Sequence, residues 1–104
     1  MKKKYEIPIN PNVAAQKMTV NAGKYSFLIK LLWNDIGNFW TIGIKEEDLS
    51  IDLTALVLRE GIDLLNAFVL NIGELWIIRN GSDVSELSLK NLGTDYSLIF
   101  ITEE

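Results

Sequence analysis

The sequence has 104 residues, 48% of them hydrophobic and 23% charged, and with a net charge of −4 this composition excludes a disordered chain. It contains no Cys and no His, which excludes thiol nucleophiles, disulfides, zinc sites of the usual N/S kind and catalytic devices built on His. No apolar run reaches the ~18 residues of a transmembrane helix, and the acidic balance argues against a nucleic-acid surface. We therefore expect a single domain over residues 1–104 that binds neither membranes nor specific nucleic acids. Residues 1–4, which are rich in lysine, are expected to form a flexible N-terminal tail.

Clusters of Asn, Gly and Asp divide the chain at intervals of roughly 8–14 residues, with apolar runs between them. Gly and Asn tolerate the positive φ angles that tight reversals need. This pattern is typical of antiparallel strands joined by short connections. It predicts a mainly β protein, either an antiparallel β-sandwich or a small barrel, with at most one short helix or helical turn.

The first half of the chain is predicted to form four strands, at residues 5–9, 16–20, 25–33 and 39–44. Pro8 lacks an amide donor, so the first strand is expected at the edge of a sheet. The third strand is the longest, and its odd positions from Tyr25 to Trp33 form an unbroken apolar face. A short turn leads from it to the fourth strand, so the two form a hairpin in which Trp33 and Trp40 can pair.

The middle of the chain supports two interpretations. Apolar residues between positions 49 and 57 fit both a helical spacing and an alternation. Length and turn density favour two short strands, 49–53 and 55–58, and a short helix is the alternative. Residues 64–68 are predicted to form a compact apolar connection. Residues 74–79 and 96–102 alternate again and are predicted as the last two strands.

No catalytic, cofactor-binding or metal site is predicted from the residues present. Asp35, Asp83 and Asp95 all lie in turns rich in Asn and Gly, where an Asp side chain usually bonds its own backbone. The protein is therefore expected to lack both enzymatic activity and a cofactor. Trp33 and Trp40 leave a different function open, a stand-alone β-sandwich module that binds carbohydrate or peptide on its aromatic side chains.

The clearest functional signal is an excess of apolar side chains, including fifteen Leu and thirteen Ile in a domain with much surface for its volume. Several lie opposite the main core stripe, so either the sheets are covered on both sides or one face contacts another subunit. A charged substitution such as Leu65→Asp at such a contact would abolish assembly and leave the fold intact. The predicted interface residues are Leu28, Leu32, Leu64, Leu65, Phe68 and Trp76.

The order of the motifs along the chain favours the second of these alternatives, a contact with another subunit. YEIPI at residues 5–9 precedes the long strand YSFLIKLLWN at 25–34 and its return FWTI at 39–42, and GELWI at 73–77 and LGTDYSLIF at 92–100 follow. Over about residues 5–101, this order resembles that of small baseplate proteins from contractile-tailed bacteriophages and prophages. It is similar to the cyanophage baseplate plug domain.

The resemblance implies a structural component of a phage tail baseplate that plugs or braces the central hub below the tail tube. It implies other baseplate, hub and tail-tube proteins as partners, with several symmetric copies in each particle. It also implies a place in the virion, after synthesis in the cytoplasm of a bacterial host. No catalytic residue is carried over by the resemblance.

Overall fold

The computed structural model describes residues 1–66, 72–81 and 85–103, apart from the side chain of Glu47. None of the helical segments in these residues has the length and apolar character needed to cross a membrane. The described residues form seven strands and one short 3-10 turn, namely β1 (Lys2–Glu6), β2 (Ala15–Ala22), β3 (Tyr25–Asn34), β4 (Phe39–Glu46), the 3-10 turn (Glu47–Leu49), β5 (Ile51–Val57), β6 (Glu74–Arg79) and β7 (Tyr96–Glu103).

The strands form two antiparallel sheets that face each other across one core. β2, β3, β4 and β5 follow one another as a four-stranded meander, whereas β7 lies between β1 and β6 in a three-stranded sheet. Within the described residues, no strand pairing joins the two sheets into a barrel. The structure is therefore a β-sandwich, which confirms the predicted fold class. β1 lies at an edge of its sheet, as expected for the first strand, but it spans Lys2–Glu6 and not residues 5–9, so Pro8 lies beyond its end.

The alternation along β3 explains how the meander buries one face. All odd positions from Tyr25 to Leu31 are buried, and the even positions between them are exposed. A strand turns successive side chains to opposite faces, so this pattern places four large side chains in the core. At the end of the hairpin, Trp33 lies opposite Trp40 with their ring centroids 5.5 Å apart in an edge-to-face arrangement. The predicted cross-strand pair is confirmed.

Aromatic rings hold the two sheets together. Phe27 from β3 meets Phe100 from β7 edge to face, with ring centroids 5.1 Å apart. Tyr25 stands edge-on to the same Phe100 ring at 6.1 Å. A small void of about 10 Å³ between the sheets is lined by apolar side chains from both of them. The core is therefore closely packed, as in other globular proteins.

The middle segment is one irregular strand, not two strands or a helix. β5 pairs with β4 through a register shift, and Ala55 has a positive φ of 56° at this irregularity. An extra residue in one strand resets the alternation. Leu53 and Leu56 consequently both pack against the core, although they are three residues apart. A spacing of three residues between apolar positions is also typical of a helix, which explains why this segment fitted a helical pattern.

The structure corrects the expected flexible tail. Residues 2–4 lie in β1 and are in register with residues 101–103 of β7. The N-terminal amine lies 2.7 Å from a carboxylate oxygen of Glu103. Lysine side chains suit an edge strand, because their charge discourages pairing with a further strand. Backbone pairing with β7 therefore orders a segment whose side chains are mostly solvated.

Candidate docking surfaces

The three-stranded sheet carries a row of large apolar side chains on its outer face. Trp76 and Ile78 come from β6, and Ile99 and Ile101 lie beside them on β7. Ile78 is 39% exposed, and the other three are half-buried. An antiparallel sheet with one face on the core is usually polar on the other. In the part of the chain that the structure describes, no strand or helix covers this apolar row, which we call the Trp76 face.

Charged groups surround the Trp76 face and fix the indole. Glu74 accepts a hydrogen bond from Nε1 of Trp76 at 3.1 Å, and its other oxygen lies 3.3 Å from Nζ of Lys2. The bond from the indole and, after it, the contact with Lys2 hold the pKa of the Glu74 carboxyl below its usual value. Lys4 lies on the same rim and makes no ion pair with a described residue. A shallow concavity of about 410 Å³ with an apolar floor lies between these groups.

The four-stranded sheet has a second outer surface, which we call the Leu32 face. Leu28 and Leu32 of β3 are 39% and 53% exposed there. Lys17 of β2 and Lys30 of β3 lie directly opposite each other on the same side. Like charges in cross-strand positions lower stability. The Leu32 face thus mixes apolar and basic side chains and is more polar than the Trp76 face.

The β3–β4 hairpin holds one apolar side chain almost wholly in water. Ile36 at its apex is 98% exposed. Below it, Oδ1 of Asn34 accepts hydrogen bonds from the backbone amides of Ile36 at 3.1 Å and Gly37 at 2.9 Å. The amide of Asn38, whose φ is 57°, donates to the carbonyl of Asn34 at 2.8 Å. These bonds fix the turn, so Ile36 is presented on a rigid support.

Three of the predicted interface residues lie at the surface. Leu28 and Leu32 belong to the Leu32 face, and Trp76 belongs to the Trp76 face. The two faces lie on the outer sides of different sheets, so the structure does not bring these three residues into one patch. Each face is instead a separate candidate for contact with a neighbouring protein.

The structure places Leu64 and Leu65 in the core and not at the predicted interface, because their side chains are only 7% and 4% exposed. Oδ1 of Asp63 accepts hydrogen bonds from the amides of Leu65 and Leu75, each at 3.0 Å. The amide of Leu64 also donates to the carbonyl of Leu75 at 2.8 Å. These bonds attach the segment to β6 and leave both leucine side chains buried. Phe68, the remaining predicted interface residue, lies outside the described residues.

Trp33 and Trp40 do not form an exposed aromatic platform. Trp40 is 1% exposed, and its Nε1 donates to the carbonyl of Ser88 at 2.9 Å. Trp33 is half-buried, and its Nε1 lies 3.4 Å from Oδ1 of Asp35. A ligand that stacks on aromatic side chains needs exposed ring faces. The pair therefore supports the hairpin and the core.

Two carboxylates, those of Glu46 and Glu60, bond backbone amides and a basic side chain. Glu46 is 6% exposed and accepts hydrogen bonds from the amides of Ser26 at 2.8 Å and Asp48 at 3.1 Å. Glu60 forms a two-point ion pair with Arg79, which lowers the pKa of the Glu60 carboxyl. In the described part of the chain, no three acidic residues are placed so that they could hold a metal ion.

Two residues at the surface, Ile101 and Ile36, were not among the predicted interface residues. Ile101 alternates with buried neighbours, which is visible in the sequence, but its partial exposure follows from its place on the outer side of β7. Ile36 stands alone in a polar turn, and no periodicity shows whether such a residue covers the core or faces water. Both positions depend on how the sheets pack, so they required the structure.

A family model described as "Cyanophage baseplate Pam3 plug gp18" matches residues 4–103, which is nearly the whole chain. The match covers β2 to β7 and the part of β1 from residue 4, including the strands of the Trp76 face and the hairpin. A search of curated proteins found no significant match.

Proposed function

Because the chain belongs to the family of the cyanophage baseplate plug, we propose that it is a structural, non-enzymatic component of a phage tail baseplate. In this role it plugs or braces the central hub below the tail tube and is carried in the virion. The family match over residues 4–103 is the observation that carries the proposal. A match over nearly the whole domain, and not over one short motif, supports carrying the family's role to this chain.

The surface of the sandwich suits such a role. A structural subunit needs apolar area that stays exposed in the isolated chain and becomes buried on assembly. The Trp76 face supplies this area with four large side chains on a rigid sheet, and Glu74 holds the indole in one orientation. A fixed side chain loses little conformational entropy when a neighbour covers it, so more of the contact energy is retained.

The partners proposed for these faces are other baseplate, hub and tail-tube proteins, with several copies of this chain in each particle. Two outer faces on opposite sides of a sandwich allow one subunit to contact two neighbours at once. Repeated contacts of this kind suit assemblies with rotational symmetry. The Leu32 face, with its lysines, would meet a partner surface that combines apolar and acidic groups.

The proposal is tested by locating the protein in tail particles and by changing one face at a time. Antibody labelling in negative-stain images should mark the baseplate end of the tail, and label elsewhere or absent from particles would contradict the assignment. Ile78→Asp and Leu32→Asp change exposed side chains, so each variant should fold. At least one of them should enter particles at a tenth or less of the normal amount.

Ile62→Asp is the matched control, because Ile62 is 48% exposed and lies on neither face. This variant should enter particles normally. Equal incorporation of all three variants would refute the use of these faces, and loss of all three would show a general effect of added charge. Circular dichroism and thermal unfolding of the purified variants separate failed assembly from failed folding.

A further inference from the structure

We propose that copies of this chain dock head to tail, with Ile36 at the hairpin apex of one copy inserted into the concavity of the Trp76 face of the next. The inference rests on the proposed function, because it assigns a partner to one of the faces described above. It commits to a second copy of the chain as the occupant, for reasons of shape, polarity and charge.

The hairpin apex has the properties of an anchor. Ile36 is 98% exposed, so it contributes almost nothing to the core. The turn beneath it is nevertheless fixed by the side chain and carbonyl of Asn34, which together accept three backbone hydrogen bonds. Rigid support for a side chain that the fold does not use is explained by contact with another molecule. An anchor already held in place can be buried with little loss of freedom.

The Trp76 face has the properties of the matching receptor. Its floor is made of Trp76, Ile78 and Ile101, and its volume of about 410 Å³ is ample for one isoleucine side chain. The indole that forms part of this floor is held in place by Glu74. Apolar anchor and apolar floor therefore match, and both exist before contact.

The charges around anchor and receptor are complementary. Asp35 stands next to Ile36, and its Oδ2 makes no hydrogen bond or ion pair with the residues that the structure describes. Lys4 on the rim of the concavity likewise has no ion-pair partner among those residues. Inserting Ile36 would bring the carboxylate of Asp35 to this rim, where Lys2 is already paired with Glu74 and Lys4 is the expected partner. Such complementarity orients a contact and selects the partner.

Anchor and receptor lie on different sheets, so they meet only between two copies. The contact joins unlike surfaces and leaves one anchor and one receptor free after each addition. Contacts of this type produce a ring when the rotation closes and a filament when it does not. A symmetric hub favours the ring. A single small contact between two copies is weak. In a closed ring each subunit makes two such contacts, one through its anchor and one through its receptor, which strengthens the assembly.

The natural chain has no cysteine, so two introduced thiols can report the contact. Purified Asp35→Cys protein is mixed with Lys4→Cys protein of different mass and oxidised at high concentration. We expect the mixed disulfide dimer to exceed by ~5-fold or more the product of Asp35→Cys with Ile62→Cys, the control pair. A chain with both changes at positions 35 and 4 should form a ladder of higher oligomers, whereas the mixture should stop at dimers.

A charge exchange tests specificity without thiols. Asp35→Lys and Lys4→Glu should each weaken self-association about tenfold, as measured by sedimentation, and the double variant should recover most of the loss. Ile36→Asp should abolish self-association while thermal unfolding is unchanged. Equal yields for the thiol pair and its control, or no recovery in the double variant, would overturn the inference. If self-association fails while the protein is still found at the baseplate, this inference falls and the proposed function stands.

Discussion

The substitution Leu65→Ala tests whether Leu65 is a core residue or an interface residue. Leu65 is 4% exposed and lines the void between the sheets together with side chains from both of them. A buried Leu→Ala change costs roughly 2–5 kcal/mol, with the larger values where the site does not collapse. The amides of Leu65 and Leu75 are both bonded to Asp63, so the segment is held in place and collapse is restricted. We expect a loss of about 3–4 kcal/mol.

A loss of this size is a large part of the ~5–15 kcal/mol that stabilises a typical domain. Urea unfolding followed by tryptophan fluorescence measures it as a fall of roughly 1–4 M in the midpoint. The matched control is Leu32→Ala, the same chemical change at a position that is 53% exposed. It should alter the free energy of unfolding by less than about 0.5 kcal/mol.

The outcome that refutes this reasoning is a stable Leu65→Ala protein that fails to assemble. Leu65 would then be an interface residue, as the sequence alone predicted, and its burial between the sheets would not describe the isolated protein. Equal destabilisation by Leu65→Ala and Leu32→Ala would also refute it, because the two positions would then not differ in burial.

Three further predictions follow from single contacts. Glu46→Leu should lower the free energy of unfolding by about 3 kcal/mol, because two backbone amides lose their carboxylate acceptor. The control Asp52→Asn on the next strand should lower it by less than about 0.5 kcal/mol in the same urea assay. Gly73→Ala should lower the melting temperature strongly, since Gly73 has a φ of 149° and an added Cβ would collide with the carbonyl of Ile101; an unchanged melting temperature would contradict this. Burial first, and then Glu60, raise the pKa of the Tyr96 hydroxyl, so this group's contribution to stability is complete below pH ~10 and is lost as pH rises above it. Tyr96→Phe should flatten that alkaline loss in pH-dependent unfolding.

Much of the fold could be predicted from the sequence, because strand periodicity is local. The predicted strand 74–79 coincides with β6, and 25–33 differs from β3 by one residue. The segment before position 66 shows the limit. Leu64 and Leu65 have no periodic context, so their burial depends on Asp63, whose bonds to a distant strand leave no local pattern. β1 is a similar case, since lysines describe a solvated surface and do not reveal a backbone partner nearly one hundred residues away.

The candidate docking surfaces were only partly predictable for a related reason. An apolar side chain opposite the core stripe predicts a second contact. Leu32 is exposed and Trp76 is half-buried, and the contact itself stays a prediction. The alternation does not show which side chains share a face. That assignment depends on β7 lying between β1 and β6, which only the assembled sheet reveals.

The order of strands also has a consequence for folding during synthesis. The meander comprises consecutive strands from Ala15 to Val57, so its pairings can form as soon as this stretch leaves the ribosome. Among the described strands, β1 and β6 pair with β7 alone, and β7 is translated after all the others. Until β7 emerges, the inner side of the meander has no three-stranded sheet to cover it and remains a target for chaperones or for aggregation. Nascent chains stalled before residue 96 should therefore be far more sensitive to protease than the released protein.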